Sequence, residues 1–182
     1  MSQTDKQYDE AVAGCREIFL KKAADYGTAW RVLRTISVVD QIFIKALRIR
    51  TIQEKGSQKV ADDITGEFIG ILNYAVIGLV QLGLPADAPE ELDTTVVAAE
   101  YDKYVAAAKK LMQDKNHDYG EAWRNMSQES LTDLILMKLQ RIRQILQNEG
   151  KTLVSEGIDA NYFDMINYAA FALILIKEKE PA

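Results

Sequence analysis

Apolar residues recur along this chain of 182 residues at the three- and four-residue spacing of amphipathic helices. In the first half this spacing predicts three long helices, over about 5–26, over about 37–55, and from Asp63 or Thr65 onward. Ser37 is the expected N-cap of the second helix, and Gly27 is the expected left-handed residue that ends the first. A short helical turn is expected at Trp30, and no alternating pattern of useful length predicts a strand.

The second half of the chain repeats the first. The segment Asp-Tyr-Gly-x-Ala-Trp-Arg at 25–31 recurs at 118–124, and between 25–50 and 118–143 the residues are identical at 13 of 26 positions. One inserted residue then moves the offset from 93 to 94, so that Asn-Tyr-Ala at 73–75 matches the same triplet at 167–169. Matched spacing over this length indicates a tandem duplication. Three helices are therefore predicted in the second half as well, near 94–119, 129–149 and 160–178.

The duplication predicts an all-α bundle made of two pseudo-symmetric units of three helices. The first repeat spans 1–84 and the second 94–182, joined by a linker over 85–93 in which Pro85 and Pro89 break helix formation. Each amphipathic helix needs a partner for its apolar face. We therefore expect both repeats to pack as one globular domain about a pseudo-twofold axis, as a homodimer would, with four long helices in a central bundle.

Composition narrows the classes of partner. The net charge of −5 gives an acidic surface that repels phosphate backbones, so non-specific binding of nucleic acid is not expected. With one cysteine and one histidine the chain has neither an intrachain disulfide nor the residues of a zinc cluster, which fits a cytoplasmic location. The N-terminal residues lack the basic and apolar regions of a signal peptide.

The segment 68–84 is the nearest approach to a membrane span. Its 17 residues include Asn73 and Gln81, so it is slightly short and polar for the hydrocarbon of a bilayer. Gly66 and Gly70 form the G-x-x-x-G pattern of paired membrane helices. A buried core helix explains the same features, and we expect no membrane partner.

Polar residues recur at matching places in both repeats. A lysine, an aspartate and a tyrosine share the last turn of each first helix, a lysine and an arginine lie three residues apart on each second helix, and an asparagine lies on each third helix. The members of this set are Lys22, Asp25, Tyr26, Lys45, Arg48 and Asn73 in the first repeat, and Lys115, Asp118, Tyr119, Lys138, Arg141 and Asn167 in the second. Cations together with oxygen ligands are suitable for binding a phosphate with its Mg²⁺. For Lys45 and Arg48 a buried ion pair with Asp40 is the alternative.

The candidate metal ligands are carboxylates on the second and third helices: Asp40, Glu67, Asp133 and Asp164. Each repeat keeps only one acid of a possible E-x-x-D pair, because Gly70 stands opposite Asp164 and Asn161 opposite Glu67. If the third helices of the two repeats face each other, these carboxylates form one composite site; otherwise neither repeat has a complete set.

The recurring pattern Lys-x-x-Asp-Tyr-Gly-x-x-Trp, followed by Lys-x-x-Arg and by Asn-Tyr-Ala, resembles the nucleotide-modification-associated domain 1 family. It is also distantly similar to the MazG-like all-α NTP pyrophosphatases. The resemblance implies a bundle in which acidic residues on two helices hold Mg²⁺ while water attacks between the α- and β-phosphates. The matching residues are Asp25, Tyr26, Lys45, Arg48 and Glu67 in the first repeat, and Asp118, Tyr119, Lys138, Arg141 and Asp164 in the second. MazG-like enzymes carry an E-x-x-E pair on the second helix, where this chain has only Asp40 or Asp133.

Three functions follow as hypotheses. The first is a Mg²⁺-dependent nucleoside triphosphate pyrophosphohydrolase in which Glu67 and Asp164 are the catalytic acids. The second is a protein that binds a nucleotide or another phosphorylated small molecule without hydrolysing it. The third is a structural or interaction protein whose polar residues form salt bridges between helices, with no accessible pocket. Association of two chains as a homodimer stays open.

Overall fold

The computed structural model describes residues 1–56, 64–152 and 156–180. Its six long helices are α1 (Gln3–Tyr26), α2 (Thr35–Lys55), α3 (Ile64–Gly83), α4 (Thr94–Tyr119), α5 (Gln128–Gln147) and α6 (Ile158–Lys179). Short 3-10 helices follow α1 at Ala29–Val32 and α4 at Ala122–Asn125. The described ranges contain no strand, and the order of elements in the first half recurs in the second. The predicted all-α, internally duplicated fold is confirmed, including the short turn at Trp30.

Two predicted helix ends differ from the structure. The second helix begins at Thr35 rather than near Ser37, with Arg34 in the N-cap position, because the chain has already left the 3-10 helix in an extended conformation. Gly27 has a positive φ of 62° but a ψ of −143°, outside the left-handed helical region, and a Cβ there would collide with the carboxylate of Glu91. Gly120, the counterpart of Gly27, ends α4 in the left-handed conformation. The alternative start of the third helix at Asp63 lies outside the described residues.

Four helices, α2, α3, α5 and α6, form the centre of the bundle. The most extensive contact is between α3 and α6, one from each repeat, and α2 and α5 pack on their flanks and on each other. Helix α1 lies across α3 and α6, and α4 makes the equivalent contacts. One hydrophobic core contains buried side chains from both repeats. The arrangement follows from the sequence, since α3 and α6 are apolar on almost every side and must be surrounded.

Two buried hydrogen bonds relate the repeats by their pseudo-twofold symmetry. The hydroxyl of Tyr8 donates to Asn167 at 2.7 Å, and the hydroxyl of Tyr101 donates to Asn73 at 2.8 Å. Each asparagine amide then donates to a backbone carbonyl, of Ala108 for Asn167 and of Cys15 for Asn73. Each tyrosine thus comes from one repeat and its asparagine from the other, so these bonds join the first helix of one repeat to the third helix of the other.

The surface contact between α1 and α4 shows the same symmetry. Arg16 pairs with Asp102 at 2.7 Å, and Lys109, the counterpart of Arg16, pairs with Asp9 at 2.9 Å. Exposed ion pairs of this kind contribute little to stability. The two ion pairs show that α1 and α4 contact each other at equivalent positions of the two repeats.

Helix α3 is the one helix in the described ranges that is long and apolar enough to cross a membrane by length and composition. In the fold it packs against α1, α2, α4 and α6. Side chains such as Phe68, Ile71 and Leu72 have no exposed surface. The apolar side chains of α3 are therefore buried against the other helices of the bundle.

The Tyr101–Asn73 hydrogen bond predicts a measurable cost when it is removed. Tyr101→Phe keeps the ring but leaves the buried side-chain oxygen of Asn73 without its donor. We expect the free energy of unfolding to fall by about 1–3 kcal/mol. Urea denaturation measures this change. Tyr119→Phe, at a tyrosine that is 73% exposed, is the matched control and should change stability by less than about 0.5 kcal/mol. Equal effects of the two substitutions would contradict the role assigned to the bond.

Candidate functional site

The two repeats contain cavities at equivalent places. The first cavity lies among α1, α2, α3 and the first 3-10 helix and has a volume of about 700 Å³. The second cavity lies among α4, α6 and the second 3-10 helix and measures about 140 Å³. All ten residues that line the second cavity have counterparts among those that line the first. The duplication has therefore produced one open and one nearly filled version of the same site.

A carboxylate between two lysines closes the second cavity. Asp164 lies 2.9 Å from the Nζ atoms of both Lys115 and Lys138, and its side chain is only 8% exposed. Burial alone would lower the pKa of Lys115, but the hydrogen bond to Asp164 and the charge of that carboxylate raise it above the usual lysine value. One of the two positive charges at this cavity is thus balanced by a carboxylate of the chain itself.

The first cavity has the equivalent lysines, Lys22 and Lys45, but it lacks the carboxylate that lies between their counterparts. Gly70 stands where the second repeat has Asp164, and Lys22 and Lys45 form no ion pair with any described residue. A Cβ on Gly70 would lie 2.9 Å from the Cδ and Cε atoms of Lys45, so the lysine runs directly across this glycine. The Nζ of Lys45 lies 5.7 Å from the centre of the Tyr74 ring, within range of a cation–π contact. Two lysines therefore face this cavity without an acidic partner in the described structure.

Larger side chains account for the smaller volume of the second cavity. Phe171, where the first repeat has Ile77, stacks on Trp123 with ring centres 4.2 Å apart and planes 4° from parallel. Asn116, where the first repeat has Ala23, accepts a hydrogen bond from the Trp123 indole at 3.2 Å. In the first cavity Trp30 is half-buried, and its nearest aromatic neighbour, Phe19, is tilted at a centre distance of 6.5 Å.

Of the remaining predicted ligand residues, the tyrosines and asparagines line the cavities and the others do not. Tyr26 and Tyr119 lie on the rims of the first and second cavities, with 72% and 73% of their surface exposed. Asn73 and Asn167 also line the cavities, but their amides are already engaged in the buried hydrogen bonds between the repeats. The residues that line neither cavity are Asp25, Arg48, Asp118, Lys138 and Arg141. Lys138 nevertheless closes the second cavity by way of Asp164.

The four carboxylates predicted to bind Mg²⁺, those of Asp40, Glu67, Asp133 and Asp164, do not form a cluster in the structure. Glu67 pairs with Arg48 at 2.9 Å, and Asp40 pairs with Arg143 across the repeats at 2.9 Å, whereas Asp133 is exposed. No group of three or more acidic, histidine or cysteine side chains among the described residues could hold a metal ion. A buried ion pair of Lys45 and Arg48 with Asp40 was the alternative to a phosphate site. This ion pair is not formed, because Asp40 pairs with Arg143 and Arg48 pairs with Glu67.

The direction of the helices explains why Glu67 and Asp164 stay apart. Helices α3 and α6 do face each other, but they run antiparallel, with Gly78 against Tyr162 at one end and Ile69 near Leu173 at the other. Glu67 therefore lies opposite the last turns of α6, about ten residues from Asp164, which corresponds to roughly 15 Å along the axis. The predicted composite acidic site is not formed.

Gln41 lines the first cavity and was not among the predicted site residues. It is half-buried, and its side-chain amide makes no hydrogen bond with the described residues. Its counterpart in the second repeat is Leu134. The signal in the sequence is that this position is polar in the first repeat and apolar in the second.

The Asp164 site predicts a large effect on stability. Asp164→Asn removes the charge that neutralises Lys138, whose side chain is 14% exposed, and should lower the free energy of unfolding by about 3 kcal/mol. Because the pKa of Lys115 is raised in the folded state, its stabilising share is present at neutral pH and is lost only as the pH rises through that raised pKa. Urea denaturation at pH 7 therefore records the full effect. Asp40→Asn, at an exposed ion pair, is the control and should cost less than about 1 kcal/mol. A smaller effect at Asp164 than at Asp40 would contradict this description.

Comparison with known proteins places the site within a family. The model of nucleotide modification associated domain 1 matches the chain twice, over residues 22–82 and 115–176, and these regions carry the two cavities. A comparison with curated proteins gives no match, and a comparison with solved structures gives none. The distant similarity to MazG-like pyrophosphatases stays a prediction. Because the two matched regions together cover more than half of the sequence, the chain belongs to the nucleotide modification associated domain 1 family and contains that domain in two copies.

Proposed function

We propose that the protein binds a nucleotide or another phosphorylated small molecule in the first cavity. One observation carries the proposal: in the second cavity the carboxylate of Asp164 lies between Lys115 and Lys138. In the first cavity Gly70 replaces that aspartate, and Lys22 and Lys45 have no acidic partner among the described residues. An anion supplied by a ligand would pair with the lysines of the first cavity as the carboxylate of Asp164 pairs with those of the second. Lysine is a common phosphate ligand in proteins.

The electrostatics of the first cavity favour an anionic ligand. Lys45 is half-buried, and a lysine that loses water without gaining an acidic partner is unfavourable. Glu67, which lines the same cavity, is paired with Arg48 at 2.9 Å. The two lysines thus supply a local positive charge on a chain whose net charge is −5. A phosphate between them would be held by charge-assisted hydrogen bonds.

The acidic residues favour binding over metal-assisted hydrolysis. Among the described residues that line the first cavity, Glu67 is the only carboxylate, and Arg48 already pairs with it. Metal-dependent hydrolysis of a phosphoric anhydride usually needs two or more carboxylates to place the ions and the attacking water. A purely structural role is disfavoured for a different reason, since it predicts no accessible pocket, and the rim of the first cavity includes the exposed residues Lys22 and Tyr26.

A substitution at Gly70 tests the proposal with a matched control. Gly70→Asp places in the first cavity the carboxylate that the second repeat already has, so it should occupy the lysines and weaken nucleotide binding at least about tenfold. Gly70→Asn has nearly the same size without the charge, so it displaces Lys45 to the same extent and should retain clearly more affinity than Gly70→Asp. Isothermal titration calorimetry against a panel of ribo- and deoxyribonucleoside triphosphates with Mg²⁺ measures both. Equal loss in the two variants would mean that volume matters at this position and that charge does not.

The lysines provide the second test. Lys45→Ala should weaken binding of the same nucleotide by about tenfold or more, because it removes a half-buried phosphate ligand. Lys110→Ala, at an exposed lysine of α4 outside both cavities, changes the net charge equally and should leave the affinity unchanged. A wild-type protein that binds no member of the panel would contradict the proposal at once.

The same mixtures decide between binding and hydrolysis when they are followed by phosphorus NMR. We expect the triphosphates to remain intact with Mg²⁺ or Mn²⁺. Release of pyrophosphate together with a nucleoside monophosphate, lost in Glu67→Gln, would contradict a binding-only function. That result would support the pyrophosphohydrolase hypothesis instead.

A further inference from the structure

We infer that the ligand of the first cavity carries a planar aromatic ring that stacks on Trp30, so that it is a nucleoside phosphate rather than a phosphate without a base. This inference rests on the proposed function and adds the part of the ligand that enters the cavity. Its basis is the stacked pair in the second cavity, where the Phe171 ring lies 4.2 Å from and nearly parallel to Trp123. In the first cavity Ile77 replaces Phe171, and the corresponding ring is missing beside Trp30.

The two features that fill the second cavity have the chemistry of the two ends of a nucleotide. Asp164 supplies an anionic group between two lysines, and Phe171 supplies a flat ring on an indole. Both are absent at the same two positions of the first repeat, where Gly70 and Ile77 stand. A single ligand with an anionic end and an aromatic end would therefore replace both at once. Stacking of a base on an aromatic side chain is a strong contribution to nucleotide binding.

The spacing of these positions suits such a ligand. Gly70 and Ile77 are seven residues apart on α3, two turns of helix, or about 10 Å along its axis. Lys45 lies against Gly70, and Trp30 lies at the other end, where its backbone carbonyl accepts a hydrogen bond from Gln81 of α3. The cationic end and the aromatic end are thus separated by a distance that a nucleoside and its phosphate chain can bridge.

Gln41 lies between the two ends. It is one helical turn before Lys45 on α2, and it lines the same cavity with an amide that has no hydrogen-bond partner among the described residues. A half-buried amide gains stability when a ligand supplies its donors and acceptors. Leu134, its counterpart beside the filled second cavity, needs no such partner. We therefore assign Gln41 to a hydrogen bond with a polar edge of the nucleoside.

A comparison of two probes on the wild-type protein tests the inference. A nucleoside triphosphate and inorganic tripolyphosphate share the anionic chain, but only the first has a base. Calorimetry should show the nucleotide binding at least about tenfold more tightly, because stacking and the Gln41 hydrogen bond are both lost with tripolyphosphate. Equal affinity would overturn the inference and leave the proposed function standing. Binding of neither probe would overturn the proposed function itself.

Tryptophan fluorescence locates the base. Trp30 and Trp123 are the only tryptophans, so Trp123→Phe leaves Trp30 as the single tryptophan, which can be excited selectively at wavelengths that tyrosine does not absorb. The nucleotide should quench its emission, and an excess of tripolyphosphate should displace the nucleotide and restore it. Binding of the nucleotide without any change in the emission of Trp30 would contradict stacking at this residue. The wild-type calorimetry gives an independent answer if Trp123→Phe proves unstable.

Substitutions at the aromatic end separate the two parts of the ligand. Ile77→Phe places in the first cavity the ring that the second repeat has, and it should weaken nucleotide binding about tenfold while leaving tripolyphosphate binding unchanged. Ile77→Leu, with the same number of atoms, is the control. Gln41→Leu should weaken only the nucleotide, by about fivefold. If Ile77→Phe and Gln41→Leu left nucleotide affinity unchanged, the base would not lie where we place it.

Discussion

The apolar faces of α3 and α6 pack against each other across the repeats, and every other long helix is positioned by contact with one or both of them. This packing also fixes the polar groups that these helices carry inward. Asn73 and Asn167 lie in the buried region, where an unpaired amide would be costly, and each is satisfied by a tyrosine from the opposite repeat. The two repeats therefore depend on each other for both their apolar and their polar interior contacts.

A scaffold with this internal symmetry leaves two equivalent cavities, and a few side chains decide what becomes of each. Asp164 and Phe171 fill much of the second cavity with a carboxylate that contacts two lysines and with a stacked ring, whereas Gly70 and Ile77 leave the first cavity larger. We expect the filled cavity to stabilise the bundle, and we propose that a ligand supplies the anion that the lysines of the open cavity lack. In this account the duplication has separated a structural role from a binding role within one chain.

The fold could be predicted well from the sequence because its signals are local or repeated. Helical periodicity identified the six long helices, and the recurrence of Asp-Tyr-Gly-x-Ala-Trp-Arg identified the duplication. Helix ends were less predictable: Ser37 lies inside the first turn of α2, and the backbone at Gly27 depends on Glu91, which is distant in sequence. Such contacts are set by tertiary packing, which periodicity does not encode.

The site was predictable only in part. The lysines and the tyrosines of the rims were found because both repeats share them, but sequence alone could not reveal that Asn73 is engaged by Tyr101 of the other repeat. The antiparallel direction of α3 and α6, which keeps Glu67 away from Asp164, is likewise a property of the folded bundle. The proposed binding site rests on cavity-lining positions where the repeats differ, such as Gly70 and Ile77.

A crystal structure of the wild-type protein grown with a saturating, non-hydrolysable nucleotide would show whether the first cavity holds the ligand. We expect density for a phosphate beside Lys22 and Lys45, with the base against Trp30, and a second cavity in which Asp164 still contacts both of its lysines. An empty first cavity, or a phosphate that displaces Asp164 from Lys115 and Lys138, would contradict the proposal.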